Sequence, residues 1–237
     1  MDSANYVTLT RQSGLMREMQ GVANNIANLS TTGFRREGVI FAEHVVGLSE
    51  GPSLSVATAS ARLVDLQQGD LSQTGGTFDF AIEGEGFFLV ETPDGQRLTR
   101  AGSFTPGPTG ELMTADGARL LDEGGSPVLV PPGTLDVVMG RDGTLSSGGQ
   151  PLARIGLWQP VDPVALRHQS GTLLDPGAVQ PADGKVQLLQ GYLEGSNVNA
   201  ITEVARMVEV QRAYELGQGF LDREDQRMRG AIETLGR

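Results

Sequence analysis

The residue sets best suited to chemistry are few, and each fails on its surroundings. Gly47-Leu48-Ser49-Glu50-Gly51 has the G-x-S-x-G pattern with which a serine hydrolase raises its nucleophile on a strand-to-helix elbow. Such an elbow needs a helix after it, then an acid and a histidine downstream. Pro52 follows at once, no helical pattern does, and His168 is the sole downstream histidine. Ser49 therefore reads as a loop serine, and a Ser49 hydrolase stands as the enzymatic alternative. Gly84-Glu85-Gly86 lacks the third glycine of a dinucleotide loop and joins two β-type runs, so it reads as a turn. Asp79, Glu83 and Glu85 are close in sequence, but no general-acid partner or cation-ligand spacing accompanies them, and they read as a solvated strand face. His44 and His168 are too far apart in sequence to suggest a shared metal site, and cysteine is absent. Neither a cofactor nor a metal is expected, and the chain does not read as an enzyme.

Asparagines are more informative. Asn24, Asn25 and Asn28 cluster near the end of one helical stretch, and Asn197 and Asn199 precede another. Capping and turn formation would account for them. So would hydrogen bonds that fix register between packed helices, the role a polar residue plays in a coiled-coil seam.

The elements that position these residues divide the chain in three. All twelve prolines lie between Pro52 and Pro181, leaving a proline-free head and tail. In the tail, Met207, Tyr214, Leu221, Met228 and Leu235 recur every seven residues, and Val204, Val208, Val210, Phe220, Ala231 and Ile232 widen the stripe. A helix from Val198 onward would be roughly 57 Å long at about 1.5 Å per residue, longer than any domain this chain could build. The head predicts a helix from about Ala4 to Thr31, with Asp2 or Ser3 as N-cap. Leu15, Val22 and Leu29 are seven apart, as are Met16 with Ala23 and Met19 with Ile26. Gly33 is placed as the residue after the C-cap, with Arg35 and Arg36 near the negative end of the helix dipole.

Residues 34–76 read as an extended connecting segment, whose Phe34, Val39, Ile40 and Phe41 could lie against the base of the helices. From Thr77 the pattern is β, with apolar runs at Phe78–Ile82 and Phe87–Val90 and turns at Asp94-Gly95, Asp116-Gly117, Asp142-Gly143 and Asp183-Gly184. The expected fold is α+β, with N- and C-terminal helices paired as a coiled-coil arm (residues 1–33 and 195–237) and a central all-β module (77–194). A two-helix arm alone buries too little to offset its ordering entropy, and Gly217 and Gly219 lower its helix propensity further. Neighbours must bury the remaining faces. The predicted assembly surface comprises Leu15, Met19, Val22, Asn24, Asn25, Ile26, Asn28 and Leu29 in the head. In the tail it comprises Asn197, Asn199, Val204, Met207, Val210, Tyr214, Leu221, Met228 and Leu235.

Composition narrows the partners. A net charge of −11 argues against a general nucleic-acid binder. No apolar run reaches the ~18 residues of a membrane span, and Met1-Asp2-Ser3 is not followed by the apolar core of a cleaved export signal.

Three separated motifs carry a resemblance. Ala23–Arg36 is similar to the amino-terminal signature of bacterial flagellar rod and hook proteins. Phe80–Val90 with Leu98–Phe104 resembles the start of their central β domain. Leu193–Asn199, running into Met207–Glu215, resembles their carboxy-terminal signature. The match spans nearly the whole chain in the expected order. Its length, with Met1-Asp2 and Tyr6, is most like the proximal-rod members, with the distal-rod members as the alternative. The resemblance implies a structural protein without catalytic residues, exported by the flagellar type III apparatus without a cleaved signal. It implies helical assembly around a channel, with terminal helices innermost, and partners that are copies of the chain and other rod proteins. A trimeric coiled-coil fibre protein is the rival outside the family.

Overall fold

The computed structural model describes residues 2–46, 54–182 and 186–235, and the motif around Ser49 lies outside them. The chain forms two compact units: residues 1–27, 37–63 and 199–237 make the first, and residues 28–36 and 64–198 the second. Neither of the two helices is long and apolar enough to cross a membrane.

The first unit contains helix α1 (Asp2–Ala27), a two-stranded sheet of β1 (Glu37–Val46) and β2 (Leu54–Val64), and helix α2 (Ala200–Leu235). With 36 residues, α2 is about 54 Å long. It starts at Ala200 because Asn199 caps it: Asn199 Oδ1 accepts from the Thr202 amide at 3.1 Å and from Thr202 Oγ1 at 3.3 Å. The two helices pack on each other, and α1 also packs on β1, where Val39 lies against Gly21.

α1 stops four residues before its predicted end. Asn28 forms a turn instead, its carbonyl accepting from the Thr31 amide and its Oδ1 from Thr31 Oγ1. Gly33 is therefore not a helix cap. It adopts φ +71°, and an added Cβ would lie 2.2 Å from the Ala101 amide nitrogen, so glycine is required both by conformation and by close approach of two backbones. Phe34, expected near the base of the helices, is fully buried in the second unit and stacks on His168 with ring centroids 5.0 Å apart.

The second unit is built of antiparallel β pairings, with one short 3-10 turn at Pro163–Ala165. β3 (Leu71–Gln73) pairs with Tyr192–Glu194, and β4 (Phe80–Glu83) pairs with Gln187–Gln190, so the segment leading into α2 returns to the start of the unit. β5 (Phe87–Thr92) is the central strand, bonded to β6 (Gly95–Thr99), to Arg119–Leu120 and to Leu157–Pro160. Successive side chains of a strand point to opposite faces. Phe88 and Val90 join a core with Phe80, Phe104, Leu112 and Leu145, whereas Phe87 and Leu89 join a second with Val64, Leu98 and Leu174. That double burial explains why the run Phe87–Val90 is wholly apolar. The Asp94-Gly95, Asp116-Gly117 and Asp142-Gly143 turns each close a two-strand hairpin. Glu83–Gly86 does not, because β4 and β5 pair with different strands.

Candidate functional site

The seam between α1 and α2 has a heptad spacing on α2 but a mixed character. Glu203 and Val210 are buried, seven apart, and Met207, Tyr214, Gly217 and Leu221 continue the same stripe with partial burial. On α1 the facing stripe is Gln12, Leu15, Glu18, Val22 and Asn25, all buried. Three of these five are polar, and each has a partner across the seam. Gln12 Nε2 donates to the Tyr214 carbonyl at 2.9 Å. Glu18 accepts from Arg206 at 2.5 Å. Asn25, with no exposed surface, accepts from the Glu37 amide at 2.9 Å, donates to the Glu37 carbonyl at 2.8 Å and donates to Glu203 Oε2 at 3.1 Å. One amide thus ties α1, β1 and α2 together. Its three partners are 12 and 178 residues away, so slipping any element by one turn would leave buried polar groups unpaired.

The predicted surface residues separate accordingly. Leu15, Val22, Asn25 and Val210 are buried between the helices of one chain, with Met19, Ile26, Met207, Tyr214 and Leu221 partly so. Asn24, Val204 and Met228 are exposed. Asn28, Leu29 and Asn197 belong to the second unit, Asn199 is the cap of α2, and Leu235 ends α2. Asn197 fixes backbone instead of a helix seam: its Oδ1 accepts from the Arg36 amide at 2.6 Å and its Nδ2 donates to the Asp65 and Gln67 carbonyls.

The second unit holds a charge cluster that sequence reasoning missed. Arg35, expected at a helix C-terminus, is 1% exposed, Arg100 is 2% exposed, and Glu194 is inaccessible. Glu194 Oε1 lies 2.8 Å from Arg35 Nη2 and accepts from the Gly69 amide at 2.9 Å, and Oε2 accepts from Arg100 Nη1 at 2.8 Å. The guanidinium of Arg100 also donates to the Gly84 and Ile82 carbonyls and lies over the ring of Phe87 at 5.2 Å. Arg35 donates to the Gln67 carbonyl. Burial lowers both guanidiniums below their usual range, Arg100 to about 10, while Glu194 works in the other direction. Two cations share one anion here, and neighbouring carbonyls take part of the excess charge. The cluster joins residues just after the first helix, in the middle of the β unit and just before the second helix. Arg100 lines a hollow of about 140 Å³ with Glu85, Phe87 and Pro160, but among the described residues no nucleophile is attached to the cluster, so its chemistry is cohesion.

Seams, caps and a buried clasp, without a catalytic constellation among the described residues, describe a building block. Residues 81–147 match the family model described as the flagellar hook protein FlgE/F/G D1 domain, and residues 189–234 match that of the flagellar basal body rod FlgEFG protein C-terminal. The chain is 38% identical to the flagellar basal-body rod protein FlgF of Caulobacter vibrioides, across 100% of this chain and 99% of that one. The chain belongs to the flagellar rod and hook protein family. Another member, the FlgF of Mesorhizobium japonicum, is 35% identical over the same shares. The flagellar basal-body rod protein FlgG of Buchnera aphidicola is 31% identical over 93% of this chain. This is a family of structural proteins, not of enzymes. Arg100 falls inside the first matched span and Glu194 inside the second, so the clasp ties the two matched regions together.

Proposed function

We propose that the chain is a structural subunit of the flagellar basal-body rod, of the FlgF type, and that it assembles with copies of itself and other rod proteins through its helical ends. The relatives named FlgF, at 38% and 35% identity over essentially full length, favour this over the FlgG alternative. The observation that carries assembly is the outer face of α2. Ile201, Val204 and Leu216 are 83, 53 and 73% exposed, yet sit on a helix whose inner stripe already packs on α1. Exposed large aliphatics along a helix of that length support an intermolecular contact. Coiled-coil pairing of the two ends, extended by the same helices of neighbouring subunits, is part of this reading. So are the assembly roles of Met19, Asn24, Ile26, Met228 and Leu235, export through the flagellar type III apparatus, and residence in the periplasmic part of the basal body. The lack of cysteine suits a chain that must remain unfolded and disulfide-free during passage.

The test is Leu221→Asp, which places a charge on the half-buried seam. The variant is expected to be absent from isolated basal bodies while Trp158 in the second unit keeps its folded fluorescence. Normal incorporation would reject helix-driven assembly, and absence of the unmodified chain from basal bodies would reject the rod reading itself.

A further inference from the structure

The hollow beside the clasp has an uncommitted carboxylate at its mouth. It measures about 140 Å³ and is walled by Leu66, Phe87, Pro160 and Pro163, with Arg100 and Glu85 completing the wall. The cluster it borders is out of balance, because two buried guanidiniums share the single carboxylate of Glu194. Arg100 Nε is buried without a hydrogen-bond partner, although Nη1 and Nη2 are both engaged. Glu85 is exposed and makes no hydrogen bond or ion pair among the described residues. Burial is the largest effect on Arg100 and lowers it, whereas Glu194 and, through space, Glu85 act in the opposite direction.

The backbone sets the reach of Glu85. The Gly84 carbonyl that accepts from Arg100 Nη2 at 2.6 Å belongs to the planar peptide unit joining Gly84 to Glu85, so the Glu85 Cα stands beside the guanidinium. Gly84 is pinned at both its polar groups, since its N–H donates to Gln68 Oε1 at 3.2 Å. Glu85 itself sits between two glycines at φ +112° and +138°, backbone states that a Cβ would oppose. A glutamate side chain turned inward over staggered torsions spans the remaining distance. The hollow has room for several waters at about 30 Å³ each, and so for a carboxylate with its methylenes. Entry strips the carboxylate of hydration, which pairing with a buried cation offsets.

We propose that Glu85 is the second counter-ion of the clasp, carried on a Gly84–Gly86 strap that closes into the hollow and sets the carboxylate on the Arg100 guanidinium. The open strap keeps Glu85 hydrated. The closed strap matches two cations with two anions and fills the hollow, which is thus a seat for the chain's own side chain and not a ligand pocket.

The test reads the Arg100 Nε–H signal in proton–nitrogen spectra of the purified full chain. Glu85 is exposed, so its variants are expected to fold. In Glu85→Gln the Arg100 Hε should move upfield and exchange with water about fivefold faster, the loss of one ordinary hydrogen bond. Glu85→Asp keeps the charge but is one methylene shorter, and should follow Glu85→Gln. The Hε of Arg97, on the neighbouring hairpin, should not move in either variant. An Arg100 signal unchanged by Glu85→Gln would overturn the strap. A wild-type signal retained in Glu85→Asp would overturn it as well, because charge at a distance would then be sufficient without closure.

Discussion

Replacing Glu194 by glutamine removes one charge and almost no volume from the clasp. The carboxylate is inaccessible and faces two guanidiniums that are 1 and 2% exposed. The amide can still accept from the Gly69 N–H, so the backbone contact survives and the charge change is isolated. Two cations would then lie side by side without an anion, and the Arg35 charge already lowers Arg100. Breaking a buried ion pair by removing one partner costs about 3–5 kcal/mol. At roughly 3 °C per kcal/mol for a unit of this size, the melting temperature of the second unit should fall by about 10–15 °C. The assay is calorimetry of the purified full chain, with Trp158 fluorescence assigning the transition to the second unit. The triple variant Arg35→Met, Glu194→Leu, Arg100→Met should recover most of the loss, because well-packed apolar side chains of similar size often match a buried ion cluster in stability. A fall of less than about 3 °C in Glu194→Gln would refute the claim that Glu194 compensates these two cations.

Asn25→Ala leaves the Glu37 amide and carbonyl and one Glu203 oxygen without that partner, and should destabilise the helical unit by about 2–4 kcal/mol, read from the helical circular-dichroism melt. Gly219→Ala meets open space and should stabilise α2 by about 1 kcal/mol. Gly217→Ala should gain less in the same melt, since its Cβ would sit 2.3 Å from Gln12 Nε2 and displace the bond to Tyr214. Asp142 is held below the usual 3.8 by hydrogen bonds from the Thr144 hydroxyl and amide. A folded value below the unfolded one adds stability at pH above 3.8 that is lost as pH falls through the folded value. Thr144→Val should raise the Asp142 titration midpoint, followed by carboxyl carbon NMR, and an unchanged midpoint would exclude the hydroxyl as the main cause.

What was legible in the sequence was periodic or local. The seven-residue spacing of Met207, Tyr214 and Leu221 marks the inner stripe of α2, and three Asp-Gly pairs mark three hairpins. The end of α1 was overestimated because Asn28, compatible with one more helical turn, bonds its own backbone neighbourhood through Thr31. Gly217 read as a propensity cost, whereas it admits the Gln12 amide to the surface of α2. The clasp was not legible at all. Arg35, Arg100 and Glu194 stand far apart in sequence, and a charged residue carries no local sign that it will be buried. Asn25 stood out as an asparagine near a helix end, but Gln12 and Glu18 were missed for a related reason: they break an apolar pattern, and their partners lie on another element.

The separation of the clasp's members also orders events in time. Arg100 and Glu194 are 94 residues apart, and Arg36 and Asn197, which meet beside them, are 161 apart. During synthesis, every strand from β3 through β6 emerges while Arg35 and Arg100 still lack a counter-ion. A nascent chain can collapse its aliphatic cores, but those two guanidiniums oppose full burial until the last β segment arrives with Glu194. Chains truncated before that residue should stay loosely packed and open to proteolysis, so the β unit reaches its closed state only once the chain has been made nearly to its second helix.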